Sequence, residues 1–172
     1  MIPEILSERY SSSKISEIWS PQGKIILERE FWIAVLKEQR KLGLDIPESA
    51  IKAYEKVIKI VNIKNISKIE KKLRHDVKAR LEEFCKLAGY EHIHKGMTSR
   101  DLTDNVEQLQ ILRSLKIIRS KTVLLLINLS DWSQKTKNIL ITGRTHNVPA
   151  QPTTLGKRIS MFGEEILFAL KR

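Results

Sequence analysis

Four histidines in a lysine-rich chain are the first candidates for proton chemistry, because an unperturbed imidazole titrates near neutral pH. His146 lies in Gly143-Arg144-Thr145-His146-Asn147-Val148-Pro149-Ala150-Gln151-Pro152-Thr153-Thr154, a segment that interrupts an otherwise helical pattern. Gly143 permits a tight turn, while Pro149 and Pro152 forbid regular helix and push Val148 and Gln151 toward extended backbone. The expectation is a rigid loop between two helices that presents Arg144, Thr145 and His146. A fixed polar loop carrying an imidazole suits general acid–base catalysis. A surface histidine on an ordinary connection is the plainer reading of this loop taken alone.

His75 is flanked by Arg74 and Asp76. Successive residues on a helix point about 100° apart, so the three cannot share one face. His75 and Asp76 can still form a hydrogen-bonding pair at a kink or bundle edge, in which the carboxylate orients the ring and makes it more basic. A surface Arg and Asp around a half-buried His is the commoner outcome for such a triplet. His92 and His94 stand two apart without a neighbouring cysteine or a helical histidine pair, so no metal site is expected there. Gly96 followed by Thr98-Ser99 at the head of a long helix offers hydroxyls and backbone N–H groups to an anion. The same hydroxyls can simply cap the helix, and the two roles are compatible.

The elements that must position these residues read as an all-α chain. Residues 1–23 look irregular, with Ser13 or Ser16 capping a short helix that ends before Pro21; Arg9-Tyr10 is either an anion contact on an N-terminal arm or a solvated arginine beside a packed aromatic. Residues 24–42 are amphipathic and end at Gly43, and Pro47 heads a second helix that runs to about Val61. Residues 67–87 carry the stripe Ile69, Leu73, Val77 and Leu81 and read as one helix through Arg74-His75-Asp76. From about Asp101 to Lys137 there is no glycine or proline. There Ile111, Leu115, Ile118, Thr122, Leu125, Leu129 and Trp132 recur in heptad fashion, and further apolar residues widen the seam. A helix of about 35 residues is roughly 50 Å long. One rod that is apolar on several sides implies a bundle, and an oligomeric one. A last helix begins at Thr153-Thr154 and is still in phase at Arg172, from which the chain is expected to be the N-terminal portion of a longer protein. The architecture expected is an N-terminal helical domain over 1–95, then the first long helices of a central helical bundle over 96–172.

The formal charge of +11 invites nucleic acid, an anionic membrane or an anionic small substrate. The lysines are dispersed among Ile, Leu and Val, and no basic cluster interleaves with aromatics, which argues against nucleic acid. The longest aliphatic run is far too short to span a bilayer, and the N-terminus lacks the apolar core of a secretory signal. A single cysteine, Cys85, fits a reducing, cytoplasmic setting and reads as a packed apolar residue.

Four polar blocks, in order, carry a resemblance. Arg9-Tyr10 with Ile18-Trp19-Ser20, Arg74-His75-Asp76-Val77 with Ala79, Gly96-Met97-Thr98-Ser99-Arg100-Asp101 with Asp104-Asn105, and Gly143 to His146 followed by Pro149 to Arg158 are similar to blocks of the fumarase/aspartase superfamily of lyases. Within that superfamily they look most like the adenylosuccinate lyases. The resemblance implies β-elimination of fumarate from adenylosuccinate, giving AMP, and from the related succinylated aminoimidazole carboxamide ribotide of purine synthesis. It implies that His146 is the acid, with His75 the alternative proton-transfer residue. It implies that Thr145 contacts substrate and that Thr98 and Ser99 hold a succinyl carboxylate. Arg9, Tyr10, Arg74, His75 and Asp76 would contact the nucleotide. It further implies a homotetramer with composite sites and no metal or organic cofactor. The serine base lies on a segment that this chain does not contain, so the chain alone is expected to be inactive. Val148 departs from the glutamine that many superfamily members carry there. An argininosuccinate lyase, a basic all-α nucleic-acid-binding module and an assembly module are the alternatives; Arg74-His75-Asp76 speaks against the first.

Overall fold

A computed structural model describes residues 5–172. Among these residues there are eight helices and one two-stranded sheet: α1 (Ile5–Tyr10), α2 (Ser13–Trp19), α3 (Pro21–Lys41), α4 (Glu48–Val57), α5 (Ile63–Leu73), α6 (Asp76–Ala88), α7 (Ser99–Lys135), β1 (Leu140–Thr145), β2 (Val148–Thr154) and α8 (Leu155–Lys171). The fold is all-α apart from that small sheet. Two compact units part after Ser114, inside α7. The expected boundary at 95/96 precedes α7. The first turns of α7 bury Leu102, Val106 and Gln110 in the first unit.

The first unit is built around α3. Pro21 occupies the first turn, where its missing N–H costs nothing, and the Ser20 hydroxyl accepts from the Gly23 N–H at 2.9 Å. Trp32 and Leu36 of α3 meet Tyr54 of α4, Phe84 of α6, Ile93 of the following loop and Leu102 of α7 in one cluster. A smaller cluster joins Ile25, Ile66 and Ala79. Cys85 packs against the main cluster, as expected, with its sulfur 3.4 Å from the Tyr54 hydroxyl. The start of α7 is tied to α2, since the Gln110 amide donates to the Ile18 carbonyl at 2.7 Å and the Trp19 indole to Ser114 Oγ at 2.9 Å.

Two expectations are corrected. Residues 67–87 are not one helix: α5 ends at Leu73, Arg74 adopts the left-handed conformation (φ 53°), and His75 is extended (φ −149°) before α6 begins at Asp76. The physical reason is that His75 serves as an N-cap, its Nδ1 accepting from the Lys78 N–H at 3.3 Å, so a new helix starts without glycine or proline. The segment 143–154 is not a rigid loop between two helices but part of an antiparallel hairpin, with Thr145 opposite Val148 and Leu140 opposite Thr154. Its prolines are tolerated because both strands of a two-stranded sheet are edges.

In the second unit the hairpin is fastened at its base. The Leu155 N–H donates to the Ile139 carbonyl at 2.9 Å, the Gly156 N–H to the Thr136 carbonyl at 3.1 Å, and the Ser133 hydroxyl to the Gly156 carbonyl at 3.0 Å. A Cβ on Gly156 would sit 2.4 Å from the Ser133 carbonyl oxygen and 2.7 Å from Lys137 Cα, so α8 can start this close to α7 only with glycine there.

Candidate functional site

Arg74, His75 and Asp76 line a cleft of about 670 Å³ together with Ser67, Glu70 and Lys71. All three side chains are solvent-exposed. Capping commits the Nδ1 lone pair of His75 to the α6 N-terminus, so that any ligand contact of the ring would fall to Nε2. The expected His75–Asp76 hydrogen bond is not made: His75 Nδ1 and Asp76 Oδ1 are 3.6 Å apart. Asp76 instead accepts from Arg80 Nη2 at 2.9 Å. Partial burial pushes the Asp76 carboxyl up, but the Arg80 hydrogen bond, the Val77 N–H and the Arg80 charge outweigh it, so Asp76 titrates below the ordinary carboxylate value.

Thr98 and Asp101 close a reciprocal cap at the head of α7. The Thr98 N–H donates to Asp101 Oδ2 at 2.6 Å, and the Asp101 N–H lies 3.5 Å from Thr98 Oγ1. Thr98 is exposed and Ser99 half-buried. The Thr98 hydroxyl therefore caps the helix, and a carboxylate already stands at its positive end. The cradle expected around Thr98 and Ser99 is thus partly filled by the chain itself.

His94 lies on the loop between α6 and α7, and the sequence reading weighed it only as a metal ligand. Its Nδ1 accepts from the Trp32 indole at 3.0 Å, with the rings edge to face at 87°, and its backbone is left-handed (φ 66°). Burial lowers its pKa from the usual imidazole value; the Asp101 carboxylate opposes that shift and His75 adds to it. His94 thus feels groups at the heads of both α6 and α7. The sequence signal was weak: only a tryptophan on the core face of α3, many residues away, holds the ring.

The lowered pKa gives a pH dependence of stability. Between the depressed folded value and the ordinary value of 6.5, the unfolded chain binds the extra proton and the folded chain does not. The stabilising contribution is therefore complete above 6.5 and is lost as pH falls through the folded value. The urea midpoint is expected to drop as pH falls below the ordinary value of 6.5, and His94→Gln to flatten that part of the profile. An unchanged profile in the variant assigns the acid limb to other groups.

The second unit holds Thr145 and His146. His146 and Asn147 form the two-residue turn of the hairpin, both with positive φ (50° and 62°), as a type I′ turn requires. Arg144 donates to the Asn147 carbonyl at 3.1 Å and closes the turn. Thr145 Oγ1 lies 3.1 Å from His146 Nδ1. The strand pairing slips between Gly143 and Arg144, where a Cβ on Gly143 would stand 2.9 Å from the Gln151 carbonyl oxygen. The hairpin so displays an exposed imidazole at a rigid tip. Arg9 and Tyr10 lie on α1, which buries none of its residues, and Tyr10 is 76% exposed. Among the described residues, the non-glycine positions with positive φ are Arg74, His94, His146 and Asn147. Such backbone costs roughly 1–2 kcal/mol per residue and clusters where a side chain must be aimed.

The profile of the lyase family matches residues 8–172, and the chain belongs to that family. It is 33% identical over 171 residues to an adenylosuccinate lyase of Schizosaccharomyces pombe, covering 96% of this chain and 36% of the relative. It is 34% identical to one of Methanocaldococcus jannaschii, covering 95% of this chain and 36% of that protein. An N-acetyl-S-(2-succino)cysteine lyase of Dickeya dadantii is 28% identical over 98% of this chain and 38% of its own length. The chain thus spans little more than a third of the relatives it matches. The fold is that of a 3-carboxy-cis,cis-muconate lactonizing enzyme from Pseudomonas putida, with a TM-score of 0.85 at 21% identity over 99% of this chain and 40% of that one.

Proposed function

We propose that this chain supplies part of the active site of a lyase that eliminates fumarate from adenylosuccinate, and from the succinylated aminoimidazole carboxamide ribotide. The observation that carries the reading is the cleft beside Arg74, His75 and Asp76, with His94 and the Thr98 cap in the same electrostatic neighbourhood. It presents cationic and hydrogen-bonding groups suited to a nucleotide on a chain of charge +11. The names of the relatives support it, since both describe a succinyl group joined to a heteroatom.

In this reading a base removes the proton next to a succinyl carboxylate, and an acid delivers a proton to the departing nitrogen. His146 is the acid, with His75 the alternative, and Thr145 contacts the substrate beside His146. Thr98 and Ser99 hold a carboxylate; Arg9, Tyr10, Arg74, His75 and Asp76 hold the nucleotide. The base is not among these residues, and the 172 residues alone are inactive. No metal or organic cofactor takes part. The working form is a cytoplasmic homotetramer. Apolar side chains left outside on α7, among them Leu115 (55% exposed), Ile118 (54%) and Leu124 (59%), support an assembled helical core.

The test is fumarate formation. The complete gene product mixed with adenylosuccinate is expected to yield fumarate and AMP in equal amounts, and the 172-residue chain to yield neither. Fumarate from a succinyl thioether but not from adenylosuccinate would move the protein to another branch of the family.

A further inference from the structure

Arg80 connects the interior of the first unit to the rim of the cleft. Its side chain is only 13% exposed, and it touches two carboxylates at once: Nε is 2.6 Å from Glu28 Oε2 and Nη2 is 2.9 Å from Asp76 Oδ2. The two are in opposite surroundings, since the Glu28 side chain is 0% exposed and that of Asp76 is 54% exposed. Neither Glu28 oxygen nor Arg80 Nε makes a hydrogen bond of good geometry among the described residues, so the 2.6 Å contact between Glu28 and Arg80 is an ion pair. Burial pushes the Glu28 carboxyl up, and Arg80 is the first of the charges that pull it back, ahead of Lys24. A buried carboxylate with so little other solvation holds the Arg80 cation, 2.6 Å away, firmly.

From this geometry we propose that Arg80 is a positioning residue: anchored on Glu28, it fixes the rotamer of Asp76 at the lip of the cleft. The inference rests on the reading of that cleft as the nucleotide site. Asp76 is the first residue of α6, where a carboxylate is already favoured by the helix dipole, but an exposed Asp in that place retains freedom about its side-chain bonds. Arg80 stands one turn on and removes that freedom. The planar fork of arginine is what allows two carboxylates to be served at once; a lysine ammonium in the same place reaches one of them. The sequence has the spacing in view, Asp76 and Arg80 at i and i+4. What turns a surface pair into a fixed strut is Glu28, which sits on another helix.

The test is a double-mutant cycle in the complete gene product, read as KM for adenylosuccinate with kcat recorded beside it. Asp76→Asn and Arg80→Gln are each expected to raise KM by roughly tenfold with kcat little changed, and the double variant to raise it no further than the larger single change. Glu28→Gln, which cannot reach a ligand, is expected to raise KM in the same direction. A double variant near the product of the two single effects, or Glu28→Gln altering only the melting temperature, overturns the proposal. Where Arg80→Gln lowers the folded fraction, Arg80→Lys carries the same comparison. A readout without substrate separates this inference from the functional one. In the 172-residue chain the Asp76 carboxyl is expected to titrate below its ordinary value, and to rise in Arg80→Gln while keeping the helical spectrum. An unmoved Asp76 titration refutes the strut; a normal strut in a protein that forms no fumarate refutes the function alone.

Discussion

Arg29→Met is expected to cost the first compact unit about 3–5 kcal/mol, the range for removing one partner of a buried ion pair. Against total stabilities of about 5–15 kcal/mol, that leaves the variant largely unfolded at modest urea concentration. Arg29 is fully buried, and its Nη1 donates to the carbonyls of Val57, Ile58 and Ile60 at 3.1, 3.0 and 2.9 Å. Its Nη2 pairs with Glu83, itself 2% exposed, and its guanidinium lies 4.5 Å from the centre of the Phe84 ring. One side chain thus satisfies the end of α4 and neutralises a carboxylate inside α6. Methionine fills the space but leaves the carbonyls unpaired and the Glu83 charge alone. Arg29→Met with Glu83→Leu is expected to recover part of the loss, because the lone charge is then gone while the carbonyls stay unpaired. A urea midpoint that barely moves in Arg29→Met would show that the pair contributes nothing beyond its packing volume.

The second large effect concerns chemistry. His146→Asn is expected to lower the kcat of the complete gene product by about 10²–10⁴-fold, the usual contribution of a positioned proton donor. Asparagine is a better choice than alanine because position 146 has φ 50° in a two-residue turn, where asparagine is among the favoured residues. The variant keeps the hairpin and loses the imidazole. Thr145 Oγ1, 3.1 Å from the ring nitrogen, then has no titrating neighbour on the hairpin tip. Near-normal turnover in a protein with an intact fold would remove His146 from the proton transfer and leave His75 as the residue to test.

Much of the helical layout was legible because it rests on period and punctuation. Pro21, Pro47, Gly43 and Gly89 stand at helix ends as the pattern required, and the long glycine-free stretch is α7. The four polar blocks also led to the right family. What escaped the reading has physical causes. The break between α5 and α6 uses Arg74 in a left-handed conformation and a histidine as cap, neither of which is a strong breaker in one dimension. The hairpin was hidden because Pro149 and Pro152 argue against a strand in any sheet but one made only of edges. The short run Ile139-Leu140-Ile141-Thr142, rich in β-branched residues and closed by Gly143, was the available signal. The buried charges were invisible: Glu28, Arg29, Arg80 and Glu83 look like ordinary helix-surface residues until α3 is laid against α6. His94 escaped for the same reason, since its partner Trp32 is 62 residues away.

The left-handed positions divide the chain in a way that bears on how it would respond to selection. Gly43, Gly89 and Gly96 take positive φ where only the path of the chain is at stake, whereas Arg74, His94, His146 and Asn147 take it with a side chain attached. A library screened for heat resistance alone would drift toward glycine at an exposed position such as Arg74, where that relieves backbone strain without disturbing the core, but would keep His94, which accepts from the buried Trp32 indole. Such winners would melt later and carry blank rims where the candidate site stands. Enrichment against glycine at such exposed positions in a screen for turnover, and for it in a screen for survival at high temperature, are opposite outcomes written into the same few dihedral angles.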